Sequence, residues 1–136
     1  MSFEVDKFIP QRYPFQMIDQ IDEVRPGEGS KATKYLTINE WFFQGQNNPV
    51  MPRPIVLECL AQTGVVSLLS MPEYEGHNVF FGGIKDAEYQ DDFRPGDTLS
   101  LAVEMTKLKR QIGVGHGTVT RDGVVICTAD LVFAIE

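Results

Sequence analysis

The sequence predicts an α+β domain in which an antiparallel sheet wraps around one long, enclosed helix. Three observations carry this reading. The run from Ile55 to Leu69 is apolar nearly all round and is long enough for about four helical turns. From Thr98 onward the period changes, with Leu99, Leu101, Val103 and Met105 alternating with Thr98, Ser100, Glu104 and Thr106. The chain also lacks a strand–helix–strand rhythm, so its sheet is expected to be antiparallel.

Taken in order, Phe3 to Tyr13 ends at the breaker Pro14. Phe15, Met17, Ile18, Ile21 and Val24 then suggest a strand running to the turn at Pro26-Gly27. Lys31 to Thr37 reads as a second strand. Asn39 to Asn48 mixes turn chemistry with Trp41, Phe42 and Phe43, and aromatics in such a loop should face something apolar. Pro52 and Pro54 open the helix, where a missing N–H donor costs nothing. After a short apolar run from Val79 to Ile84, the turn Arg94-Pro95-Gly96-Asp97 launches the strand Thr98 to Lys107. Gly113 to Arg121 and Val124 to Ile135 flank Asp122-Gly123, a two-residue hairpin turn whose central positions tolerate positive φ. In the last strand Val125, Cys127, Ala129, Leu131, Phe133 and Ile135 are expected on one face.

At 136 residues the chain fits one domain, residues 1–136, able to bury a core without staples. Its 12 basic and 19 acidic residues give a net charge of −7, which argues against nucleic-acid binding, since phosphate neutralisation needs clustered Lys and Arg. The basic group Lys107, Lys109 and Arg110 reads as a solvated strand end, with docking of an acidic carrier protein as the sharper alternative. The two cysteines, Cys59 and Cys127, sit in apolar segments as reduced thiols would, and a cytoplasmic protein is expected. Met1 to Lys7 shows no export signal, and the apolar run Pro54 to Met71, interrupted by Glu58 and Gln62, is too short and polar for a membrane span. A single sheet around one helix leaves open edges, for which homodimerisation is the remedy.

Several blocks then stand out: Pro10-Gln11-Arg12-Tyr13-Pro14-Phe15 with Asp19, Asn39 to Gly45, Asn48 to Pro52, Leu57 to Gln62, Phe80 to Ile84 and Phe93 to Asp97. In this order they resemble the 3-hydroxyacyl-acyl carrier protein dehydratases of the FabZ type. The resemblance implies a hotdog fold, a homodimer that can assemble as a trimer of dimers, and acyl tunnels at the subunit interface. It further implies acyl-acyl carrier protein or acyl-CoA as substrate. Phosphopantetheine is then part of the substrate, and neither cofactor nor metal is expected. The family reaction removes water from a 3-hydroxyacyl thioester to give a trans-2-enoyl thioester.

The family's catalytic pair is a loop His and a helix Glu from the other subunit. The Glu carries over to Glu58. The His does not: where the family reads Gly-His-Phe-Pro-x-Asn-Pro, this chain reads Gly45-Gln46-Asn47-Asn48-Pro49, shorter by two residues, with Gln46 at the His position. An amide cannot take the α-proton. His77 and His116 match no family position and read as loop and strand histidines. Glu58, alone among apolar residues, needs pairing or protonation, and burial would raise its pKa; Gln62 lies one turn on. The resemblance offers the Gly83 backbone N–H as an oxyanion contact, with a strand glycine approaching the helix as the alternative. It also implies substrate contacts at Phe42, Phe43, Val50, Pro52, Gln62, Phe81 and Gly82. Arg53, at the helix start, would pair with a carboxylate or phosphate. Three functions are therefore carried forward: a dehydratase-family enzyme impaired by the lost His, a hotdog thioesterase using Glu58, and a non-catalytic acyl or carrier-protein binder.

Overall fold

The computed structural model describes residues 4–136; Phe3 lies outside them, as does the start of the Met1 to Lys7 segment. One helix, α1 (Arg53–Leu69), is enclosed by six strands: β1 (Gln20–Arg25), β2 (Gly29–Tyr35), β3 (Val79–Tyr89), β4 (Thr98–Lys109), β5 (Ile112–Arg121) and β6 (Val124–Ile135). All neighbours are antiparallel, in the order β1-β2-β4-β5-β6-β3. Both β1 and β3 are edges.

Pro52 caps α1 without a side-chain hydrogen bond, and Pro54 fits its first turn. From Cys59 through Leu68 every residue is buried, which is why the segment is apolar on all faces. The fit is tight at two glycines. A Cβ on Gly64 would lie 2.5 Å from Phe133 Cζ, and one on Gly117 would lie 3.0 Å from Leu60 Cδ1. These glycines let the sheet close on the helix.

The β5–β6 turn is as the sequence predicts, with Asp122 at φ 52° and Gly123 at φ 79°. Three details differ from expectation. Residues 15–19 precede β1 rather than forming part of it, because Gln62 of α1 takes up the local backbone groups (below). β3 is longer than its apolar run, continuing through Lys85, Asp86 and Glu88 to Tyr89, with register shifts between Phe81 and Gly83 and between Lys85 and Glu88. In β6, Val125 is 47% exposed while Ile126 is buried. The register shifts between Val119 and Thr120 on the partner strand, so the facing alternation holds only from Cys127 onward.

Candidate functional site

Glu58 lies in the second turn of α1, half-buried, and burial pushes its carboxyl above the ordinary value near 4.5, partly opposed by the Gln62 amide one turn on. Gln62 itself is fully buried. Its Nε2 donates to Phe15 O at 2.7 Å and its Oε1 accepts from Met17 N at 2.7 Å, so this side chain staples residues 15–17 onto the helix. Val65 and Leu69 continue the stripe begun by Glu58 and Gln62, at spacings that share one helix face. There the stripe enters a cleft of about 490 Å³ between residues 6–12 and 75–80, with Phe8, Ile9, Val79 and Phe80 among its apolar walls.

The loop before the helix is built around Gln46. Its Nε2 donates to Phe42 O (2.7 Å) and Val50 O (3.1 Å), and its Oε1 accepts from Val50 N (3.1 Å). Two carbonyls facing one nitrogen fix the orientation of the amide and use both of its hydrogens. From outside, Arg94 Nη1 holds the same loop through Asn48 O, Asn48 Oδ1 and Pro49 O at 3.2, 2.9 and 3.3 Å. Gln46 is exposed, yet committed to its own loop.

The other residues named from sequence are dispersed. Phe42 and Phe43 form an edge-to-face pair within the core, 6% and 3% exposed, while Trp41 is 44% exposed and donates Nε1–H to Pro14 O. Val50 and Pro52 are partly buried. Phe81 and Gly82 are exposed on β3, and a Cβ on Gly83 would meet nothing within 4 Å, so that glycine borders open space rather than the helix. Arg53 does not make the expected ion pair: its guanidinium stacks 4.5 Å from the Tyr89 ring centre. His77 lies in the loop before β3, edge-on to Tyr74, and His116 Nδ1 lies 2.9 Å from Asp130 Oδ1 on the outer sheet face.

One buried cluster escaped the sequence reading. Lys34, 3% exposed, reaches Glu40 at 3.1 Å and Asp19 at 3.5 Å. Its signal was the strand phase of β2, since Ser30, Ala32 and Lys34 are all buried. Beside it, burial pushes the Cys59 thiol up to about 12, which keeps it neutral and unsuited to nucleophilic work; Cys127 is raised to about 11 for the same reason. Among the described residues no cluster suits a metal ion, and no helix is long and apolar enough to cross a membrane.

Helix, sheet and lone helix carboxylate together define a protein of the FabA-like class, whose family model matches residues 9–130. Curated relatives narrow this. The chain is 47% identical over 134 residues to the 3-hydroxyacyl-[acyl-carrier-protein] dehydratase FabZ of Ligilactobacillus salivarius, covering 97% of this chain and 96% of that one. It is 46% identical over 135 residues to the FabZ of Roseiflexus castenholzii, covering 98% and 94%. The chain belongs to the FabZ-type 3-hydroxyacyl-acyl carrier protein dehydratase family of fatty acid metabolism. The hotdog fold is shown as well by the ApeI:P dehydratase heterocomplex of Xenorhabdus doucetiae, with a TM-score of 0.85 at 18% identity over 98% of this chain and 91% of that one. A hypothetical thioesterase of Streptococcus pneumoniae with coenzyme A shares it at a TM-score of 0.64 and 17% identity, covering 85% and 84%.

Proposed function

We propose that the chain binds acyl thioesters, carried by acyl carrier protein or coenzyme A, with Glu58 as the group that exchanges a proton with the substrate. The carrying observation is the half-buried carboxyl of Glu58, raised by burial, at the head of a helix stripe whose Val65 and Leu69 line a cleft of mixed apolar and polar walls. Val65 lies about 10 Å and Leu69 about 16 Å along the helix axis from Glu58, so an acyl tail with its thioester end at the carboxyl would pass Gln62, buried under residues 15–17, to reach the cleft. A protonated carboxyl suits the acid that dehydration needs for the departing hydroxyl. The half-buried Gly83 and the exposed Phe81 belong to the same reading as thioester contacts.

Two chains pair along β3 in this reading, because an eleven-residue edge with Phe80, Phe81 and Ile84 exposed at 51%, 36% and 39% is an unsatisfied sheet margin. A homodimer places Glu58 of one copy opposite the Gln46 loop of the other, and a trimer of such dimers is the larger assembly. No cofactor enters the reaction, and the two buried neutral thiols suit a cytoplasmic setting. Hydrolysis is the second reading, favoured by a helix carboxylate with no neighbouring imidazole in its loop.

The test offers the purified protein 3-hydroxybutyryl and crotonyl thioesters while following enoyl interconversion and free thiol separately. Saturable binding whose pH dependence is lost in Glu58→Gln supports the proposal. Thiol release identifies the hydrolytic reading, binding that Glu58→Gln leaves unchanged at every pH identifies an acyl-binding protein, and no binding removes the proposal.

A further inference from the structure

We infer that the productive partner of this chain is a different member of its family, one that carries the loop histidine, so that a single complete site forms from that imidazole and Glu58. The inference rests on the reading of Glu58 given above and extends it to the identity of the partner.

A pair of identical chains is chemically unbalanced at this site. Each copy brings a carboxyl that burial holds toward its protonated form, and in the homodimer proposed above only the Gln46 loop would meet it. Gln46 has nothing left to offer: both amide hydrogens go to Phe42 O and Val50 O, and its oxygen already accepts from Val50 N. Arg94 pins the loop against Asn48 and Pro49, so swinging the amide out breaks contacts on both sides. No proton acceptor for a carbon acid stands in that loop. Neither of the chain's two histidines supplies one, since His116 is paired to Asp130 on the outer face and His77 lies at the far end of the helix. The chain thus carries half of an acid–base pair, together with the open strand edge that would join it to another hotdog subunit.

A partner that repairs this needs two features: a matching edge strand to continue the sheet, and an imidazole where this chain has Gln46. A histidine-bearing family member has both. In the mixed pair the imidazole takes the α-proton of the 3-hydroxyacyl thioester. The electron pair of that C–H bond becomes the new C2–C3 π bond, and the C3–O bond breaks. The Glu58 carboxyl protonates the departing hydroxide, giving the trans-2-enoyl thioester and water. The imidazolium then returns its proton to the Glu58 carboxylate through solvent, which restores both groups. The second site of the pair, made of Gln46 and the partner's helix carboxyl, stays inactive. A partner less acidic than this chain, whose net charge is −7, also eases the repulsion between two like subunits.

The test co-expresses this chain with the histidine-bearing family member of the same genome, in which that partner's helix glutamate has been replaced by glutamine. Neither homodimer then holds a full pair. Native mass spectrometry reads whether the mixed dimer forms, and dehydration of 3-hydroxybutyryl-CoA reads whether it works. The expected result is a mixed dimer that dehydrates about 10²–10⁴-fold faster than either homodimer, the contribution of a positioned acid–base group. Glu58→Gln should abolish the gain while leaving the mixed mass unchanged. A mixed dimer without that gain, exclusive homodimers, Glu58-dependent dehydration by this chain alone, or a genome without such a partner would each overturn the inference. Crotonyl-CoA binding to this chain alone, measured in parallel, separates these outcomes from failure of the underlying reading, which predicts binding in every case.

Discussion

Replacing Gln46 tests whether its amide is a structural clamp. Gln46→Ala deletes three hydrogen bonds: one part-buried, to Phe42 O, and two exposed, with Val50. At about 1 kcal/mol for the first and about 0.5 kcal/mol for each solvent-screened one, the loss is about 2 kcal/mol. For a chain of this size that lowers Tm by roughly 6–10 °C. Gln46→His keeps at most part of the clamp, so its Tm should fall by about half as much. Its enoyl hydration rate should rise by less than about tenfold, well short of the contribution of a positioned base. The reason is that the loop remains short and pinned by Arg94, so an imidazole at this position is not delivered to the partner's Glu58. Differential scanning calorimetry and a crotonyl-CoA hydration assay on the two variants check both halves. An unchanged Tm in Gln46→Ala refutes the clamp; strong hydratase activity in Gln46→His alone refutes the argument from loop geometry.

The remaining predictions concern stability. Because burial raises the Glu58 pKa in the folded protein, the native state holds a proton that the unfolded chain has released as pH rises above about 4.5. Stability therefore falls as pH climbs through the folded value, and Glu58→Gln should remove that loss, leaving the variant the more stable form at pH 7 in urea titrations; a less stable variant at pH 7 would be inconsistent with a raised pKa. Gln62→Leu leaves Met17 N–H and Phe15 C=O unpaired under the helix, costing about 2–4 kcal/mol, with faster amide exchange at Met17; unchanged exchange there would remove the staple from the account. Lys34→Met strands Glu40 and Asp19, costing about 3 kcal/mol in chemical denaturation, and a neutral result would show that both carboxylates are relieved by solvent.

Much of the architecture was legible because it is set by local rules. Alternation in β4 survives as buried Leu99, Leu101 and Val103, and the Asp122-Gly123 turn fixes the β5–β6 hairpin. Prolines at the helix start and the uniformly apolar run placed α1. What escaped depends on contacts distant in sequence. Phe15 to Asp19 have strand-like composition, but Gln62, 45 residues from Met17, captures their backbone. Arg53 stacks on Tyr89 from a strand that local pattern ended too early. Exposure of Val125 follows from a bulge that hydrophobicity does not mark. At the site, the sequence revealed which residue type stands at the histidine position, while only the structure shows that Gln46 spends its amide on its own loop.

The most direct measurement is a crystal structure of the dimer with crotonyl-CoA bound. The account predicts the enoyl C3 within hydrogen-bond reach of a Glu58 carboxyl oxygen and the acyl end directed toward Val65 and Leu69. A thioester bound elsewhere, with Glu58 closed off from it by protein on every side, would contradict it.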